Sequence, residues 1–289
     1  MNKKIFAAAL AAAVSGSLMA QTLVTVNGTK IDSSEIDRQV KFLQQEGQIK
    51  GDSPALRQEL LSRTVTRTLI AQEARRLKLQ DMPEFKEVSE KARAAAKQHG
   101  VDKQAGFKQQ WEDYQTDLLN QAFIVNTLSS NPVSEKEVKD TYDAYKKRYN
   151  GTGEVQLGQI MTSQEARAKE AVAELKAKKA FADVARRYSE EPGAAQTGGI
   201  DPNYVSLKDL EEEAPPVYNT VKNLGKGQFN KTPLVGNNIY AVFYVNDKRT
   251  ISVPAFDQLK NTIGADLEER RVAAAIGALY RKAQIVPAK

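Results

Sequence analysis

Between Pro254 and Ala283 the chain runs as one long amphipathic stretch, with Phe256, Leu259, Ile263, Leu267, Ile276 and Leu279 at helical spacing. A lone helix of this kind cannot bury its apolar stripe, so it must pack on other elements. The matching surfaces lie at the opposite end of the chain. Leu56, Leu60, Leu61, Val65, Leu69, Ile70, Ala74 and Leu77 recur at three- and four-residue steps over 55–79. Trp111, Tyr114, Leu118, Ala122, Val125 and Leu128 form a second stripe. Helices before and after an inserted segment predict one helical lobe built from both chain ends.

The segment between them has another character. After a linker at Asn150-Gly151-Thr152-Gly153, residues 154–161 alternate as a strand does. A capping box from Thr162 to Glu165 opens a helix carrying Ala168, Val172 and Leu175. A short helix with Phe181, Val184, Ala185 and Tyr188 follows, then one around 216–224. Ile239 to Val245 is the strongest strand, presenting Ile239, Ala241, Phe243 and Val245 on one face. The expected class is therefore α+β.

Three features complete the outline. Asn27-Gly28 joins two short alternating runs as a hairpin turn, after which Ser33 or Ser34 caps a helix to about Ile49. Residues 85–105, rich in Ala, Lys and Glu, read as a solvated helix or a mobile arm. A further capping box, Ser134 to Glu137, opens a helix with Val138, Tyr142 and Tyr145. The expected division is 21–150 for an N-terminal helical domain, 154–249 for an α+β domain and 250–289 for the C-terminal helix returning to the lobe.

Residues 1–20 stand apart. Lys3 and Lys4 precede an apolar run from Ile5 to Val14, followed by small and polar residues to Ala20. This is the pattern of a secretory signal peptide cut between Ala20 and Gln21, and the run is too short to span a bilayer. A periplasmic protein without an integral membrane segment is expected. The sequence has no cysteine and a single histidine, His99, so disulfides, thiolate zinc sites and histidine-pair metal sites are excluded. No metal and no cofactor is expected. A net charge of +6 is spread without basic clusters interleaved with aromatics, which argues against nucleic acid.

The run Phe181-Ala-Asp-Val-Ala-Arg-Arg-Tyr-Ser-Glu-Glu-Pro-Gly193, then Thr197-Gly-Gly199, Asn223-Leu-Gly-Lys-Gly-Gln228, Thr232-Pro233 and the strand closing at Asp247-Lys-Arg249 resemble the parvulin (PpiC-type) peptidyl-prolyl cis-trans isomerases. The Val26-Asn-Gly28 hairpin, Gln72-Glu-Ala-Arg-Arg-Leu77, Val133-Ser-Glu-Lys-Glu-Val138 and the C-terminal helix are similar to SurA- and PrsA-type exported folding factors. Such a catalyst lowers a barrier of about 18–20 kcal/mol with an apolar pocket, exclusion of water and hydrogen bonds that favour the twisted amide. The resemblance implies two facing histidines on adjacent strands, an acidic or thiol group and an aliphatic and aromatic wall.

Carried over position by position, the histidine sites hold Gln159 and Ala241, and the acid site holds Glu191. The substrate-side positions fall on Asp201, Val217 and Asn238, with Met161 beside Gln159. Each has a plain alternative. Gln159 shares a strand face with Val155, Leu157 and Met161 as a hydrogen-bonded structural glutamine would. Glu191 beside Pro-Gly reads equally as a solvated loop carboxylate, and Asp201-Pro202 as a turn. His99-Gly100 fits a solvated helix end. Two functions follow. One is a folding factor that binds unfolded or proline-containing envelope proteins with weak or lost isomerase activity. The other is a pure holdase or scaffold without isomerase activity. Pairing of two copies through the helical lobe is left open.

Overall fold

The computed structural model describes residues 21–288, and the signal peptide expected over 1–20 lies outside them. Two compact units emerge: a helical unit of residues up to Ser134 with Gly264–Lys289, and an α/β unit of Glu135–Ile263. The helical unit holds β1 (Thr22–Val26), β2 (Thr29–Asp32), α1 (Ser33–Gln45), α2 (Pro54–Arg76), α3 (Pro83–Gln98) and α4 (Phe107–Ser130). In the α/β unit come α5 (Glu135–Tyr149), β3 (Gly153–Thr162), α6 (Glu165–Lys176), α7 (Phe181–Tyr188), α8 (Ala194–Thr197) and β4 (Ile200–Ser206). They are followed by α9 (Leu207–Glu213), α10 (Pro215–Val221), β5 (Leu234–Gly236) and β6 (Ile239–Thr250). Helix α11 (Phe256–Lys282) contributes to both units, and β7 (Ile285–Pro287) to the first.

In the helical unit β1 and β2 form the expected hairpin, with Asn27 and Gly28 both at positive φ. Gln72 on α2 pins it, donating to Val26 O and Thr29 Oγ1 and accepting from Asn27 Nδ2. Strand β7 pairs antiparallel with β1, which places β1 in the middle of the order β2-β1-β7. Val26, Ile31, Ile36, Leu61 and Leu69 build the core under this sheet, flanked by Leu279 and Tyr280 of α11. Helix α2 opens on Ser53, whose Oγ accepts from Leu56 N–H, with Pro54 at the first turn.

Several expectations shift. The cap of α1 is Asp32, occupied by the Thr22 hydroxyl, and the helix stops at Gln45 rather than Ile49. The region 85–105 is helix through Gln98 with no buried residue, and exposed His99 closes it. Helix α4 buries Phe107, Leu119 and Phe123, whereas Trp111 is half-buried and Val125 is 64% exposed. The stripe from Trp111 to Leu128 follows the neighbouring face. Nor does Thr162 cap α6: Gln164 occupies that position, because the Thr162 hydroxyl donates to Glu190.

Glu35 on α1 is pushed above its usual range, by burial first and then by facing Asp113, against Arg38 and Arg67. Folding therefore favours its protonated form. The cost is absent below the unfolded value of about 4.3 and complete once pH exceeds the raised folded value. Glu35→Gln is expected to raise the thermal midpoint at pH 7 and to lose that advantage at pH 4; an equal gain at both would refute it.

The α/β unit is an antiparallel sheet in the order β4-β3-β6-β5 with helices on both faces. Ile160 and Val242 face α6 and α7, while Val155, Ala241, Phe243 and Val245 face α9 and α10. Helix α5 belongs here. Arg148 and Tyr149 both bond Asp209 on α9, and the Tyr142 hydroxyl donates to Pro254 O. The Gly151 linker is sealed by paired backbone bonds with Ile251 and lies inside this unit, so the division falls at Ser134/Glu135.

Candidate functional site

The centre of the α/β sheet sets the geometry. In the β3–β6 register Gln159 lies opposite Phe243 and Met161 opposite Ala241. Gln159 and Ala241 are thus diagonal neighbours on one face, a separation of about 7–8 Å in antiparallel sheets. Around Ala241, itself 7% exposed, gather Phe243, Met161, Val217, Tyr218 and Leu234. Proline at the first turn of α10 starts that helix so that Val217 and Val221 meet the sheet.

A tight loop after α7 brings in the carboxylate. Ser189 Oγ accepts from Met161 N–H and Glu191 N–H, and Glu190 N–H donates to Met161 O. Glu190 also receives Ser163 N–H and the Thr162 and Ser163 hydroxyls, which hold its carboxyl below the usual range. Glu191, the next residue, accepts from Gln159 Nε2 at 2.6 Å. The amide and the carboxylate are thereby fixed against each other, both half-buried.

The Thr197-Gly-Gly199 motif supports the same place. Thr197 Oγ1 accepts from Gly199 N–H, and Gly199 O accepts from Gln159 N–H at 2.7 Å. Gly199 holds φ +73, and a Cβ there would stand 2.6 Å from Gln159 O. Only glycine lets this loop lie on β3.

Asn230 escaped the sequence reading. Only 8% exposed, it donates to Thr232 O and Ala241 O and accepts from Phe243 N–H at 2.6 Å, clamping the preceding loop to β6 beside Ala241. In sequence it is one more polar residue before a Thr-Pro turn, and its role exists only once β6 is beside it.

The structure thus brings Gln159, Glu191, Met161, Ala241 and Val217 to one face. Two sequence candidates lie elsewhere in character. Asp201 is exposed and its carboxylate receives Asn203 N–H and Nδ2, the Asx turn foreseen as its plain alternative. Asn238 sits exposed with Asn237 at the tip of the β5–β6 hairpin, at φ 60. Chemically the face is an apolar patch flanked by a single amide–carboxylate pair. A glutamine amide donates and accepts but does not change charge, and Ala241 carries no polar side-chain atom. Among the described residues no group of three His, Cys, Asp or Glu side chains gathers for a metal, and no helix is long and apolar enough to cross a membrane.

The family model of the PPIC-type PPIASE domain matches residues 133–261, nearly the bounds of the α/β unit. A probable parvulin-type peptidyl-prolyl cis-trans isomerase of Bordetella bronchiseptica is 28% identical over 272 residues, 94% of this chain and 95% of the relative. Foldase protein PrsA 2 of Bacillus cereus is 28% identical over 194 residues, covering 65% of this chain and 61% of that protein. Among solved structures, a SurA-like chaperone of Campylobacter jejuni aligns at 21% identity and TM-score 0.35, over 91% of this chain and 96% of that one.

Proposed function

Because the chain belongs to the parvulin-type isomerase family, with PrsA foldases among its relatives, we propose that it is an exported folding factor whose isomerase activity is weak or lost. It binds unfolded, proline-containing polypeptides of the cell envelope, and its place is the periplasm, reached by the signal peptide of residues 1–20. One observation carries the reading of the activity. The face where the family resemblance calls for two imidazoles holds the Gln159–Glu191 pair at 2.6 Å and the bare methyl of Ala241. The apolar wall for a pyrrolidine ring remains in Met161, Val217 and Phe243, but the groups that stabilise a twisted amide are reduced to one amide.

A proline-peptide isomerisation assay on the full chain is expected to give kcat/KM on the order of a hundredfold below an intact parvulin, the usual cost of losing a positioned polar group. The same chain is expected to suppress aggregation of an unfolding client. Turnover equal to the intact enzyme would refute the weakened site, and no effect on aggregation would refute client binding. Ala241 favours one further reading, a holdase with no isomerase activity, which predicts a rate indistinguishable from the uncatalysed one.

A further inference from the structure

The apolar face of the α/β sheet is edged by a negative charge that the fold leaves without a cation. Glu191, half-buried, accepts from Gln159 Nε2 at 2.6 Å, and that donor bears no charge. No ion pair reaches Glu191 among the described residues. Its neighbour Glu190 spends its own carboxylate on Thr162 and Ser163. The wall beside the pair, Met161, Ala241, Val217 and Phe243, is apolar.

The cations of the surrounding elements are engaged elsewhere. Arg186, beside the Gly198 turn, pairs with Asp183. Arg167 donates to the carbonyls of Arg187 and Tyr188 and faces Glu190. Lys222 lies 5.0 Å from the Tyr218 centroid and donates to Asn219. Lys231, on the turn before Leu234, is exposed and makes no ion pair with Glu191. Water therefore hydrates Glu191 in the free chain, and a cation carried by a bound peptide would exchange part of that water for an ion pair. The distances suit such a peptide. A pyrrolidine ring resting on Met161 and Ala241 sits one strand repeat from Gln159, about 7 Å. The Cα of the residue next to a proline is about 3.8 Å from that of the proline, and the four-carbon stem of Lys covers the rest of the way to Glu191.

We propose that Glu191 is a specificity-determining residue that selects prolines flanked by Lys or Arg. The proposal rests on the reading of this face as a proline site and adds the class of sequence it takes. Acidic flanks are repelled by the same carboxylate, and neutral ones fall between. This ranking runs against the net charge of the whole chain, +6, which by itself would favour acidic peptides.

The test uses the full chain, labelled with nitrogen-15, and blocked alanine peptides with Lys-Pro-Lys, Gln-Pro-Gln or Glu-Pro-Glu at their centre. Shifts of the Met161 and Phe243 amide resonances give Kd for each peptide. The Lys peptide is expected to bind about tenfold tighter than the Glu peptide, with the Gln peptide between and the gap closing as salt is raised. Glu191→Gln keeps an acceptor for Gln159, and so the parent melting curve, yet is expected to bring the three peptides within about twofold of one another. Glu191→Lys is expected to reverse their order. Three equal Kd values in the parent, or an unchanged ranking in Glu191→Gln, overturn the proposal and leave the proline-site reading standing. Shifts at neither amide with any peptide overturn both, while the aggregation assay still reports separately on client binding.

Discussion

Placing histidine at both strand positions, Gln159→His together with Ala241→His, is expected to raise isomerase turnover on a proline peptide at least about tenfold over the parent chain. The two positions are diagonal on one face of β3 and β6, so paired imidazoles would flank the same patch. An imidazole at 159 can still donate to Glu191, as the glutamine amide does at 2.6 Å. Position 241 is less welcoming. Ala241 is 7% exposed, opposite Met161 and Leu234, and a larger ring there overpacks the layer beneath α10 by about 1–3 kcal/mol. The double variant is therefore expected to melt below the parent while turning over faster, and each single variant to gain little. A coupled peptide assay with a thermal melt reads both. A folded double variant with parental turnover would show that the missing imidazoles are not what limits the chain.

Gly199→Ala is expected to destabilise the α/β unit by about 3 kcal/mol, combining left-handed backbone strain with a steric clash. The added Cβ would stand 2.6 Å from Gln159 O and 2.8 Å from the Ala185 Cβ. One is strand backbone and the other a core methyl of α7, so neither yields by a simple rotation. Gly193→Ala is the control: at φ +90 its Cβ meets nothing within 4 Å, leaving strain alone at about 1–2 kcal/mol. Urea denaturation of the two variants separates the contributions. Equal losses would mean that the loop does not press on β3 as described.

Much of this architecture is legible in the sequence where a period is long or a turn chemically distinctive. Asn27-Gly28, the α2 stripe and β6 all stand where their patterns place them. The facing of Gln159 and Ala241 follows from strand alternation once β3 and β6 are paired. Short elements are different. Helix α9 spans seven residues and buries only Leu210, and β7 has three residues whose pairing comes from the far end of the chain. Such segments carry too few residues to show a period, and tertiary contacts decide them. The buried face of α4 is not legible for a related reason: apolar residues occur on two of its sides, and only the packing of α2 selects Leu119 and Phe123. Asn230 has no pattern at all, because two of its three bonds are made with β6, which meets it only in the fold, and the third is a local one to Thr232 O.

The pairing of β7 with β1 also sets an order in time. Asn27 Oδ1 and Gln284 N–H meet across 257 residues of chain, whereas the α/β unit is one uninterrupted stretch, Glu135–Ile263. During synthesis from the N-terminus, the α/β unit has all its residues before β7 exists. Strand β1, central in the finished sheet, is until then an edge with unpaired N–H and C=O groups. The helical unit is thus the last to close, and the slow, long-range step of folding falls on its three-residue final strand.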